Sequence, residues 1–216
     1  MLKPKQKDLQ SLIFGILAGG TGVAICGTPW ETLLPAVESD TTAAKTLDNL
    51  IDWYSISGRQ VANAEPDERG RLGFDDASQD VIVIRRLTDK PEDVGRLLSE
   101  ITRSLKTDGH LIGELPSLPS SETDLPFAVT PYGFTGLLHG SGLRLLKIHP
   151  GPNAMSNYIR NLPGIVSADE SEGDDVIDRA MIEYGLEQGG FKSANVMRLM
   201  FSTTFVFDCA KLDLLN

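Results

Sequence analysis

The sequence predicts an α/β fold in which a mostly parallel sheet is covered by helices in three layers. Three observations carry this. Short apolar runs alternate with amphipathic stretches along the chain, the pattern of strands feeding helices. Asp80-Val81-Ile82-Val83-Ile84 is apolar between polar bounds, as in a strand buried on both faces. Near the end of the chain, Phe205 and Phe207 alternate with Val206 and Asp208, which is strand periodicity.

Taken in order, Ser11 to Leu17 reads as a buried strand running into Ala18-Gly19-Gly20-Thr21-Gly22. Leu33 to Val37 is a second strand, closing on Glu38-Ser39-Asp40. Thr41 to Tyr54 is helical by the spacing of Ala44, Leu47, Leu50, Ile51 and Tyr54. Arg59 to Ala62 is a short strand leading into Asn63-Ala64-Glu65. After the strand at 80–84, Pro91 to Leu105 is a helix with Val94, Leu97, Leu98, Ile101 and Leu105 at helical spacing. Lys106-Thr107-Asp108-Gly109 stops it, with Gly109 as the left-handed C-terminal residue. His110 to Leu115 is the next strand. Thr130-Pro131 opens a helix as cap and first residue, and Gly140-Ser141-Gly142 ends it. Leu143 to Ile148 and Thr203 to Cys209 are the last strands. The stretch between them, Pro150 to Leu199, is too long for a turn and reads as an insertion at the sheet edge, with a helix at Val176 to Leu186.

Composition narrows the function. The 216 residues suit one domain, and 41% hydrophobic content is too high for disorder. A net charge of −10 argues against a general nucleic-acid binder, which needs a basic face for phosphates. Two cysteines and three histidines, with no CxxC, argue against structural zinc and make a reducing, cytoplasmic setting the default. Lys3, Lys5 and Lys7 before the apolar run Leu12 to Cys26 mimic a signal peptide. Gly15, Gly19, Gly20 and Gly22 break that run, which at about 15 residues is short of the ~20 a membrane span needs, so strand plus turn is expected there.

The segment from Asp80 through Leu105-Lys106-Thr107-Asp108-Gly109-His110-Leu111-Ile112 resembles the class I S-adenosylmethionine-dependent methyltransferases, where "F-D-x-V" opens a strand and "L-K-P-G-G-x-L" follows the next helix. Leu72-Gly73-Phe74-Asp75-Asp76-Ala77-Ser78 is similar to the family's "L-P-F-x-D-x-S". Thr130-Pro131-Tyr132-Gly133-Phe134 to Gly142-Leu143 is similar to a helix of the type 11 small-molecule branch. The likeness spans residues 12 to 151 plus the last strand. It implies a single Rossmann-like domain over 1–216, a mostly parallel sheet with an antiparallel last strand, an insertion at about 150–199, and S-adenosyl-L-methionine as cofactor.

The resemblance also implies a site. Ala18, Gly19, Gly20 and Gly22 would hold the amino-acid end of the cofactor, since glycine lets the backbone approach closely. Glu38, with Asp40 as the fallback, would accept the ribose hydroxyls. Asn63 and Ala64 would meet the adenine amine and ring through a side chain and a backbone amide. Ile16, Ala18 and Asn63 depart from the family pattern. Arg85 and Arg86 leave the C-terminal end of the fourth strand, the rim where ligands of open α/β sheets bind. Arg85 is read as a cofactor residue and Arg86 as a substrate residue able to pair with a carboxylate or phosphate. His149, near the same rim, is a candidate general base. Met155 and Tyr158 in the insertion supply apolar surface for a lid over a small-molecule acceptor.

Two rivals arise from the same residues. One is a methyltransferase-like domain that has lost catalysis and serves in binding or assembly. The other is a sugar-nucleotide transferase, because Leu17-Ala18-Gly19-Gly20-Thr21-Gly22 resembles the "L-A-G-G-x-G" phosphate loop of those enzymes. This chain has Val23-Ala24 and Pro29-Trp30 where they carry their cations.

Overall fold

The computed structural model describes residues 46–67, 69–85, 87, 93–117, 128–151, 182–183, 186–187 and 194–212. Helix α1 (Leu47–Ile56) begins where Thr46 Oγ1 accepts the amide of Asn49 at 3.2 Å, satisfying one of the orphan donors of the first turn. Strands β1 (Val61–Asn63) and β2 (Gln79–Ile84) follow, then helix α2 (Val94–Ser104) and strand β3 (Leu105–Pro116). Helix α3 (Pro131–Leu138) is capped by Thr130, whose hydroxyl accepts the amide of Gly133 at 3.0 Å, with proline at the first position as expected. Strand β4 (Leu143–Pro150), helix α4 (Ala194–Phe201) and strand β5 (Thr204–Lys211) complete the described elements.

The sheet has the order β1-β2-β3-β5-β4. β1, β2 and β3 pair in parallel, while β5 runs antiparallel to both β3 and β4. On one face, α1 packs Leu47, Leu50 and Tyr54 against Val81, Val83, Ile112 and Val206. On the other, side chains of α2, α3 and α4 meet Ile82, Ile84, Leu111, Leu115, Phe205, Phe207 and Cys209. Phe134 fills the centre of that layer, with ring centroids 4.4 Å from Phe207 and 5.6 Å from Phe205 in tilted contacts. This is a Rossmann-like three-layer sandwich, and its last strand is antiparallel as the sequence led us to expect.

Local details differ from the sequence reading. α2 does not end in a loop with a left-handed Gly109. It stops at Ser104, and β3 begins at the next residue. The left-handed residue is Asp108 (φ 60°), a type that tolerates this region. Gly109 is needed for a close approach instead, since a Cβ there would stand 2.8 Å from the Lys106 carbonyl oxygen. The register slips between the pairs Gln79–Leu105 and Val81–His110, so residues 106–109 bulge from the ladder. The short strand expected at 59–62 lies at Val61–Asn63. Helix α4 falls where an insertion was expected, and its Val196, Met197 and Leu199 are buried in the core. The strands expected at 11–17 and 33–37, and most of the helix at 176–186, lie outside the described residues.

Asp208 is the one carboxylate among the buried described residues. Tyr54 donates its hydroxyl proton to Asp208 Oδ2 at 2.8 Å. His110 Nδ1 lies 2.6 Å from the Tyr54 oxygen and 2.8 Å from Asp208 Oδ1. With the tyrosine proton already committed, Nδ1 faces only acceptors, so the network assigns it a proton. The carboxylate thus receives donors from α1 and from β3, and helix and sheet are tied through one charge.

Burial first, then the Asp208 carboxylate, raise the Tyr54 phenol well above its ordinary value of 10.0. The folded chain keeps this proton where the unfolded chain loses it. The stabilisation is therefore present in full below about pH 10 and fades as pH rises further. Tyr54→Phe is expected to lose about 1–2 kcal/mol at neutral pH. Its stability should fall less steeply than the parent's between about pH 9 and 11, read by urea unfolding at each pH. Equal slopes in the two proteins would show that the phenol is not held neutral. A second expectation concerns Gly113, where a Cβ would sit 2.8 Å from both Ile84 Cγ1 and Phe207 Cζ and closer still to the Ile84 carbonyl oxygen. Gly113→Ala should cost about 1–3 kcal/mol as overpacking between β2 and β5.

Candidate functional site

Parallel strands that leave a sheet side by side splay their following loops and open a crevice at their C-terminal ends. β1 and β2 do this here. Asn63 is paired with Val83, and the amide of Ala64 adds one more ladder bond to the Val83 carbonyl at 2.8 Å. Beyond that bond the chains part, and a cavity of about 710 Å³ lies between them. Val83 and Leu87, both buried, give it an apolar floor, while Asn63, Glu65 and Arg85 are exposed polar lining and Ala64 and Pro66 complete the wall. The volume falls within the ~300–1,000 Å³ of small-molecule sites.

The wall after β1 is held from below. Asp67 Oδ1 accepts the amides of Arg69 and Arg71, each at 2.8 Å, folding the chain back just past Pro66. These amides, that of Arg71 foremost, hold the Asp67 carboxyl below its usual range. Further along the same loop, the Arg103 guanidinium donates to the Phe74 carbonyl at 2.8 Å and pairs with Glu100 at 3.0 Å and with Asp76. The loop between β1 and β2 is thereby fastened to α2. On the other wall, Arg85 makes a long ion pair with Asp48 of α1 at 3.7 Å; both side chains are largely exposed, so little holds it there.

Of the residues singled out on sequence, Asn63, Ala64 and Arg85 line this one cavity. The Ala64 amide is committed to the Val83 carbonyl, so Ala64 offers a ligand only its methyl and its carbonyl. His149 lies on β4 and is 3% exposed. Three strand spacings separate β4 from β2, roughly 14 Å at ~4.8 Å each, so the histidine does not share the cavity. Ala18, Gly19, Gly20, Gly22, Glu38, Asp40, Arg86, Met155 and Tyr158 lie outside the described residues. Glu65 was not singled out on sequence; its place directly after Asn63-Ala64 was the available signal. Among the described residues no group of three or more metal-ligating side chains occurs, and no helix is long and apolar enough to cross a membrane.

No family model matches the sequence, and no curated protein matches it. Among solved structures, the chain is similar to the [4+2]-cyclase SpnF at 12% identity and a TM-score of 0.37, covering 77% of this chain and 62% of that one. It is similar to the putative methyltransferase crystallised with the Trm112 methyltransferase activator of Haloferax volcanii, in a comparison giving 15% identity, a TM-score of 0.41 and coverage of 69% and 61%. It is also similar to a SAM-dependent methyltransferase from Archaeoglobus fulgidus at 14% identity and a TM-score of 0.45, covering 94% of this chain and 99% of that one. The chain thus spans less than two thirds of the length of the first two.

Proposed function

We propose that this chain is an S-adenosylmethionine-dependent methyltransferase with a small-molecule acceptor. The observation that carries the reading is the cavity at the ends of β1 and β2, where Asn63, Ala64 and Arg85 meet. The sequence resemblance points to Asn63 and Ala64 as cofactor residues, and the place of Arg85 at the end of β2 suits the same ligand. The fit to the cofactor is chemically sound, because an apolar floor of Val83 and Leu87 lies beneath an amide, a carboxylate and a guanidinium.

Bound S-adenosylmethionine supplies a methyl group on a sulfonium, and little covalent work is then asked of the protein. The strand ends fix the ligand's position, and alignment of the nucleophile with the methyl carbon and sulfur accounts for much of the barrier reduction. Arg85 can bind an anionic group, and Asn63 can both donate and accept a hydrogen bond. By resemblance, Ala18, Gly19, Gly20, Gly22 and Glu38 complete the cofactor site. Arg86, from its place after β2, and Met155 and Tyr158, as apolar surface for a lid, are assigned to the acceptor. His149, buried on β4 away from the cavity, is not its base.

The second reading is a methyltransferase-like domain that has lost catalysis and serves in binding or assembly. It draws support from the Ala64 amide, which is spent on the sheet, and from the departures at Ile16, Ala18 and Asn63.

Titration calorimetry with S-adenosylhomocysteine tests the proposal. The intact chain should bind it at one site. Glu38→Ala should weaken binding by about 1.5–3 kcal/mol, the worth of hydrogen bonds to a charged group, and Asn63→Ala by about 0.5–1.5 kcal/mol. A chain that shows no binding is not a methyltransferase of this class. Absence of binding in a folded chain would favour the second reading.

A further inference from the structure

The turn that follows the cavity wall gathers arginines. Asp67 closes it, donating its amide to the Arg71 carbonyl at 2.9 Å and accepting the Gly70 amide on its carbonyl at 2.9 Å. With Asp67 Oδ1 also holding the amides of Arg69 and Arg71, the backbone is fixed while both arginine side chains stay exposed. Gly70 lies between them at φ 73°, a left-handed value that suits glycine. A Cβ at Gly70 would also stand 3.3 Å from Arg96 Cδ and 3.8 Å from its Cγ. The stem of Arg96, in the first turn of α2, therefore lies across the bare glycine. Its guanidinium begins one bond past Cδ and so reaches the turn that displays Arg69 and Arg71.

The acids close by are engaged elsewhere or held loosely. Asp67 turns Oδ1 onto two amides, and Glu100 pairs with Arg103 at 3.0 Å. Asp93 makes no capping bond to α2 and stands 3.6 Å from Arg96, a long pair near the surface. Arg69 and Arg71 make no ion pair among the described residues. Crowding like charges costs stability, and a bound anion relieves that cost.

We propose that Arg69, Arg71 and Arg96 form an oxyanion site, distinct from the strand-end cavity, that takes a phosphate group. Each guanidinium presents a planar fork of donors, and a phosphate can accept from more than one fork at once. The net charge of −10 opposes a long polyanion such as nucleic acid, so the group is a single phosphate. Free phosphate and a phosphate ester share this chemistry, and the experiment separates them. The site stands or falls independently of the cofactor reading.

Inorganic phosphate and phenyl phosphate are titrated into the intact chain at low salt, with backbone amide resonances followed by heteronuclear NMR. Phosphate should move the resonances of Arg69, Gly70, Arg71 and Arg96 and saturate below about 10 mM. Arg69→Gln, Arg71→Gln and Arg96→Gln should each weaken it about tenfold; their side chains are exposed, so the core is untouched. Arg96→Lys, which keeps the charge and loses the fork, should recover only part of that loss. Tighter binding of phenyl phosphate at the same resonances would assign the site to an ester, and equal binding to the free anion; either supports the proposal. Shifts that spread over the surface without saturating would overturn it, as would equal phosphate affinity in the parent and all three glutamine variants. S-adenosylhomocysteine serves as the control: where the parent binds it, the variants should keep its affinity within about twofold. A parallel loss of S-adenosylhomocysteine would make the arginines part of the cavity and overturn the separate site.

Discussion

A carboxylate inside a sheet is tolerable only when donors surround it, because an unpaired buried charge costs several kcal/mol. Asp208 sits on β5, an interior strand in which Phe205, Val206, Phe207 and Cys209 are also buried. Its donors come from α1 through Tyr54 and from β3 through His110. Their phenol and imidazole rings lie 4.8 Å apart, and the Arg59 guanidinium stands 5.7 Å from the centre of the Tyr54 ring. The last strand therefore fits only where the helix already rests on β3, and the helix is fixed in place by the charge it satisfies. Elements distant in sequence are bound into one layer arrangement by a single group.

That arrangement positions the cavity. α1 leads directly into β1, so anchoring the helix also fixes the strand whose C-terminal end provides Asn63. β2 is buried on both faces between two cores and provides Val83 as floor and Arg85 as wall. Asp67 and Arg103 hold the loop that follows Asn63, each through hydrogen bonds to backbone groups. The polar side chains that line the cavity, Asn63, Glu65 and Arg85, are exposed, so they can vary at little cost to stability.

The fold was legible because its strongest signals are physical ones. Val81 to Ile84 must be buried on both faces, and the stripe Val94, Leu97, Leu98 and Ile101 can only be a helix with one buried side. The Thr130-Pro131 start was readable because capping needs those residue types. What escaped depended on contacts distant in sequence. Gly109 looked like a helix stop, but whether a glycine serves a positive φ or a close approach is decided by the neighbouring chain. His110 reads on sequence only as the first residue of a strand, because its partners lie 56 and 98 positions away. Asp208, an acid within an apolar strand, was the hint that a buried polar partner existed. Residues 63, 64 and 85 line one cavity, whereas the commitment of the Ala64 amide to the sheet depends on a ladder partner 19 positions away and could not be read from the sequence.

Hydrogen exchange with and without S-adenosylhomocysteine tests the central claim, that the ends of β1 and β2 form the ligand site. Added ligand should slow exchange at the backbone amides of Asn63, Glu65, Arg85 and Leu87. The amides of β4 and α3, on the far side of the sheet, should change no more than global stabilisation requires. Protection concentrated around β4, with none at residues 63–66 and 85–87, would contradict the account.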